Sequence, residues 1–183
     1  MKPIVAYHKI IDFLMRQSFF VDALHKTLQE LKVSKEDKTG IYPSILDAHV
    51  FEPNEKGATP FNYFLTNAKL TSDQEKLYKL WRDNTLFSFF EVVDIKKPQI
   101  VDIVSNKPYK IDSLLASVDV KPGDLITARI VPKDEKKDTW VILAGNATSY
   151  PKEAIEILKS ELSKSSYGIN ELDIIKYAYT QAL

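Results

Sequence analysis

Three histidines, His8, His25 and His49, are the side chains of this sequence best suited to proton or metal chemistry near neutral pH. A metal site would need at least two of them beside a carboxylate such as Asp12 or Asp47. His8 and His25 stand 17 residues apart in helical sequence, so they meet only if that segment folds back. Solvated positions on helix surfaces are the expectation for them. Glu91 and Asp94 are three apart in a strand and point to opposite faces, which does not make an acid–base pair. Asp102 and Asp124 fall on or beside neighbouring strands, where they are either a carboxylate pair or solvated edge charges. Arg129 lies mid-strand among apolar neighbours, where burying a lone guanidinium is costly. It therefore faces solvent on the open side of a sheet, pairs with Glu91, Asp94 or Asp102, or meets an anionic ligand on the sheet face. Phe87, Phe89, Phe90, Tyr109 and Trp140 supply rings of the kind that single-strand nucleic-acid binders stack on, although core packing is their ordinary use. The candidate ligand-binding set is accordingly Arg129, Asp102, Trp140 and Tyr109, with no catalytic residue, metal ligand or cofactor assigned.

The rest of the composition removes whole classes of chemistry. The 183 residues include no cysteine, which excludes disulfides, thiolate metal sites and thiol catalysis. The five glycines, Gly40, Gly57, Gly123, Gly145 and Gly168, are scattered, so no phosphate-cradling loop forms. Twenty-five basic residues balance 25 acidic ones, and only Arg16, Arg82 and Arg129 are arginine. From Thr85 to Thr148 the balance is nine against nine, which disfavours a nucleic-acid partner that grips by counterion release. The longest apolar runs, such as Leu86–Phe90, are far short of the roughly 20 residues of a membrane-spanning helix. No signal-peptide core forms near Met1, because His8, Lys9 and Asp12 come too soon. No membrane is expected as a partner, and the cytoplasm is the expected location.

The elements that must position these residues read as α+β: a helical N-terminal region, a five-stranded antiparallel small barrel or bent sheet, and two C-terminal helices. Region 1–84 is helical and contains a long loop, 34–60. Apolar residues Val21, Leu24, Leu28 and Leu31 share one helix face, and Arg16-Gln17-Ser18 is a break that leaves one helix or two. Within the loop, Ile41–Phe51 is too apolar for solvent and lies on the core as a short helix or an extended strap. Thr59 and Pro60 start a short helix. Ser72-Asp-Gln-Glu75 has the form of a capping box for the next, which buries Leu77, Leu80 and Trp81 and leaves Tyr78 and Lys79 nearer the rim.

Strands are predicted at Leu86–Ile95, Ile100–Val104, Tyr109–Ile111, Leu125–Val131 and Thr139–Ala144, forming a module over 85–148. The first is apolar on both faces for part of its length, as a central strand is. In the second, Asp102 faces outward if Ile103 faces inward. The fourth alternates Leu125, Thr127, Arg129 and Val131 with Ile126, Ala128 and Ile130. Lys121-Pro122-Gly123-Asp124 is a β-turn, Asp134–Asp138 a charged hairpin tip, and Asp112–Val118 a single helical turn. Gly145-Asn146 ends the module, and Ser149-Tyr150-Pro151 opens the helical pair of 149–183.

Leu77–Val93 (LYKLWRDNTLFSFFEVV) and Gly123–Pro132 (GDLITARIVP) resemble a helix-then-barrel pattern in a diffuse group of uncharacterised prokaryotic proteins. Some of that group carry a cysteine-rich metal-binding tail, which is missing here, so no metal role follows. The resemblance implies a fold and no reaction. The sequence is thus expected to be a non-enzymatic interaction module whose barrel face or Ile41–Phe51 strap meets a protein partner. A small-barrel nucleic-acid binder, with a surface lysine cluster, is the alternative, and a hydrolase with a carboxylate site the third reading.

Overall fold

A computed structural model describes residues 2–33, 41–53, 57–113 and 120–143, and the backbone of 148–150. They fall into two compact units, one ending at Arg82 and the other beginning at Asp83.

The first unit is helical. Pro3 sits in the first turn of α1 (Pro3–Leu14), where its missing N–H leaves no bond unmade. Ala6, Tyr7, Ile10 and Leu14 form its buried stripe. Gln17 is extended, at φ −102° and ψ 120°, so the chain restarts as α2 (Ser18–Glu30) and the N-terminal segment is two helices. The end of α2 is a Schellman motif: Val33 N–H donates to Leu28 C=O at 2.9 Å and Lys32 N–H to Gln29 C=O at 3.1 Å. The motif requires a left-handed residue, and here it is Lys32 at φ 55°. A Cβ in that region costs about 1–2 kcal/mol. Lys32→Gly is expected to stabilise the fold by about 0.5–1 kcal/mol, after glycine's own entropic cost, and to raise the melting temperature by a few degrees.

The apolar stretch inside the expected loop is a helix, α3 (Ile41–Phe51), buried or half-buried at every position. Ile41, Ile45 and Ala48 recur at helical spacing, and the helix packs on α2 and on α4 (Pro60–Asn67). Thr59 caps α4 as expected, its Oγ1 accepting from Asn62 N–H at 3.0 Å. The box that opens α5 (Ser72–Asn84) sits one residue earlier than expected. Thr71 Oγ1 accepts from Gln74 N–H at 3.3 Å, and Gln74 Oε1 accepts from Thr71 N–H at 3.1 Å. Tyr78, expected near the rim, is fully buried with Trp81, while Leu77 and Leu80 are half-buried. The tyrosine reaches the interior because its hydroxyl has a partner there, the Ala6 carbonyl at 3.0 Å. Phe61 and Phe64 close edge-on against its ring, at 6.3 and 5.0 Å.

The second unit is an antiparallel sheet of β1 (Leu86–Asp94), β2 (Gln99–Asp102), β3 (Pro108–Lys110), β4 (Leu125–Pro132), β5 (Trp140–Ile142) and β6 (Thr148–Tyr150). The order is β3-β2-β1-β4-β5, with β6 also on β4. β6 corrects the reading of Ser149 and Tyr150 as the opening of a helix. β5 covers β4 only from Ile130 to Pro132, and β6 supplies a partner from Leu125 to Thr127. The edge amides of the long β4 are thereby satisfied in two pieces. The sheet bends so that its outer strands meet at one isolated bridge, Ile111 to Trp140, where Asp112 N–H donates to Trp140 C=O at 2.8 Å. It is not closed into a barrel.

Alternation assigns the two faces. Phe90, Val92, Ile100, Tyr109, Ile111, Ile126, Ala128, Ile130 and Ile142 form the core cluster on one side. The expected alternation of β4 is the observed one, and all eight of its residues are buried. The Lys121–Asp124 turn is also as expected, with Gly123 at φ 88°. The residues expected to form a helical turn after Asp112, and the C-terminal helical pair, lie outside the described residues, Asp112, Ser113, Ser149 and Tyr150 aside. Among the described residues no helix is long and apolar enough to cross a membrane.

Candidate functional site

Asp102 does not face outward as expected from an inward Ile103, because β2 ends at Asp102 and Ile103 lies past the strand. Asp102 pairs in register with Phe90, on the core face, and is buried. Its carboxylate accepts from the Ser88 hydroxyl at 2.6 Å, from Val104 N–H at 3.1 Å and from Ser105 N–H at 3.3 Å. The Ser105 hydroxyl adds a fourth bond. A carboxylate satisfied this fully is buried because it replaces the backbone partners that β2 loses where it ends.

Tyr109 and Trp140 lie on the same face as Asp102. Their rings meet edge-on at 5.1 Å, and Tyr109 also meets Phe90 at 6.0 Å. The indole Nε1 donates to the Lys137 carbonyl at 3.1 Å, which fixes the charged hairpin beneath it. Burial, and then the Asp102 charge, push the Tyr109 hydroxyl above its ordinary pKa. Lys107 Nζ stands 5.3 Å from the Tyr109 ring centre. Of the rings that offered a stacking platform in the sequence, Phe89, Phe90 and Tyr109 are buried, and Phe87 and Trp140 half-buried.

Arg129 occupies the opposite face, across the sheet from Asp102. It is 2% exposed, which rules out the solvent-facing reading. Its guanidinium carbon sits 5.5 Å from the ring centre of Phe87, its cross-strand partner, and Nη1 donates to Thr85 Oγ1 at 3.4 Å. Thr127, next on that face, is buried and its Oγ1 has no hydrogen-bond partner among the described residues. The fold thus brings Asp102, Tyr109 and Trp140 together and puts Arg129 on the reverse.

The histidines are equally separated. His8 and His25 are exposed on α1 and α2. His49 Nε2 is 2.9 Å from Thr27 Oγ1, and its ring meets Phe20 edge-on at 6.4 Å. Asp47, on another side of α3, is buried and accepts from the Tyr7 hydroxyl at 2.9 Å. Among the described residues no group of three or more His, Cys, Asp or Glu is placed to hold a metal ion.

A surface that the sequence reading did not single out lies on the helical unit. Phe19, 47% exposed, meets Tyr63, 40% exposed, edge-on at 5.0 Å. Half-buried Phe13 meets Tyr63 at 6.2 Å and continues inward to Phe64 at 5.4 Å. The Tyr63 hydroxyl donates to Gln17 Oε1 at 3.4 Å. A signal for this ridge was present in Phe19-Phe20: adjacent helical residues point about 100° apart, so both rings cannot enter one core. No protein-family model, curated protein or solved structure matches the chain.

Proposed function

We propose that this chain is a non-enzymatic protein-interaction module whose helical unit meets its partner through the Phe13–Phe19–Tyr63 ridge. The observation that carries this reading is an exposed pair of aromatic rings already braced by a third and by a hydroxyl bond. Aromatic side chains dominate the energetics of protein interfaces, and rings held in place lose little freedom on binding. The groups with the best potential for proton chemistry support the same reading, because Asp47, His49 and Asp102 each hold structural hydrogen bonds. The Ile41–Phe51 segment is less suited to a partner, as α3 leaves no residue exposed.

The test compares proteins captured by the wild-type chain and by a Phe19→Ser/Tyr63→Ser double variant, each quantified against beads alone. Both rings are about half exposed, so a modest fall in melting temperature is expected, and a thermal melt verifies that the variant is folded. The bound partner is expected to fall by at least about tenfold in the variant, the loss typical when interface aromatics are truncated. Equal recovery by both chains overturns the proposal.

A further inference from the structure

One end of the sheet unit carries charge and apolar surface that the aromatic ridge does not involve. β1 ends at Asp94, β2 starts at its register partner Gln99, and Lys96 and Lys97 form the turn between them. Gln99 in turn faces Lys110, the last residue of β3. On the other side, Val92 N–H donates to Asp124 C=O at 2.8 Å and Gly123 N–H donates to Val92 C=O at 2.6 Å. These bonds hold the turn containing Lys121 beside the end of β1. Neighbouring strands are about 5 Å apart, so Lys110, Lys96, Lys97 and Lys121 span roughly 15 Å of one sheet end.

All four lysines are exposed, and among the described residues none of their ammonium groups is in an ion pair. The acids of this end, Asp94 and Asp124, are half-exposed and bonded to backbone, and Asp94 also feels the charges of Lys97 and Lys96. Asp94 Oδ1 accepts from Lys96 N–H at 2.7 Å and Lys97 N–H at 3.1 Å, and Asp124 Oδ2 accepts from Lys121 N–H at 2.7 Å. Half-buried Glu91 lies further along β1, and Asp119 lies outside the described residues. Between the lysines, Val93 and Ile95 are 45% and 46% exposed. The register shift between Val92 and Asp94 accompanies this outward turn of Val93.

From this juxtaposition we infer that the β1–β2 tip and the Lys121–Asp124 turn form a second docking surface, for an acidic protein segment that also carries aliphatic residues. Charge complementarity selects the acidic character, since lysines at adjacent strand ends fall within one Debye length of each other and the four outnumber the carboxylates of Asp94 and Asp124. The aliphatic pair selects a protein segment over a nucleic acid, which would be served by arginine forks and exposed rings. The chain presents lysine and branched aliphatics there instead. This surface is separate from the Phe19–Tyr63 ridge, so either can fail alone.

The test uses fluorescence anisotropy of a labelled peptide alternating glutamate and leucine. Its comparators are the same peptide with serine for leucine, single-stranded oligo-dT, and vesicles of phosphatidylserine and phosphatidylcholine. The glutamate–leucine peptide is expected to bind about tenfold more tightly than the serine version and to weaken as salt rises. Val93→Ser/Ile95→Ser and Lys96→Glu/Lys121→Glu should each weaken it by about tenfold or more, while Phe19→Ser/Tyr63→Ser leaves it unchanged. All these positions are exposed, and a thermal melt verifies that each variant is folded. Absence of peptide binding, equal binding of the serine version, or tighter binding of oligo-dT or the anionic vesicles overturns the inference.

Discussion

Asp102→Ala is expected to destabilise the sheet unit by about 3 kcal/mol, the largest single loss foreseen for a polar residue here. The carboxylate holds four hydrogen-bond donors at the point where β2 ends. Alanine leaves the buried Ser88 hydroxyl without this partner and releases two amides of the exposed Val104–Ser105 turn to water. The unmade bonds matter more than the lost ones, because each buried donor left unsatisfied costs about 1–3 kcal/mol. Asp102→Asn keeps only one of the two acceptor oxygens and sets an NH2 donor against the donors that the other served, so it should cost about 2 kcal/mol. Chemical denaturation followed by Trp140 fluorescence measures both variants. If Asp102→Ala melts like the wild type, the carboxylate does not organise this turn. Were Asp102 instead a ligand-binding group, its replacement would change binding and leave stability alone.

The helical unit should lose about 2 kcal/mol of stability as the pH is raised from 10 to 12, through Tyr78. Burial pushes the Tyr78 hydroxyl from 10.0 up to about 12. Below pH 10 the phenol is protonated in both the folded and the unfolded chain, so stability does not depend on it. Above pH 10 the unfolded chain releases this proton while the folded chain keeps it. The unfolded state then gains relative to the folded one, until the folded phenol also ionises near pH 12. Tyr78→Phe should abolish this component, at a cost of about 1 kcal/mol at neutral pH for the lost bond to the Ala6 carbonyl. The measurement is a set of denaturant melts at pH 8, 10 and 11 on the wild type and the phenylalanine variant. Parallel pH dependence in the two chains would mean that Tyr78 ionises as readily inside as outside.

Those two residues also show where local sequence stops being informative. The apolar set Leu77, Tyr78, Leu80 and Trp81 fixes a helix but leaves its rotation open by tens of degrees. What settles the rotation is a set of rings, Phe61 and Phe64, and a carbonyl on α1, all distant in sequence. The capping box moved from Ser72 to Thr71 for a similar reason. Both start with a hydroxyl and place an acceptor three residues on, but Gln74 Oε1 is also engaged by Lys9 of α1, at 2.8 Å. Asp102 shares the core face with Ile100 by alternation; the outward expectation took Ile103 as the inward residue, and Ile103 lies past the end of β2, which local sequence does not mark.

By itself, the sequence determined what depends on a few neighbouring residues. That includes the Thr59–Pro60 helix start, the turn at Gly123, the alternation along β4, and the α+β class. Each follows from dihedral restriction, capping or side-chain period, which act within a few residues. Tertiary structure alone decided that Arg129 lies on the opposite face from Asp102, that Thr148–Tyr150 completes the edge of β4, and that Phe19 and Tyr63 meet at the surface. Those outcomes rest on strand register and helix packing between segments far apart in the chain. Burial energy is nearly indifferent to which apolar residues meet, so composition does not choose among the pairings; side-chain fit and hydrogen-bond satisfaction do.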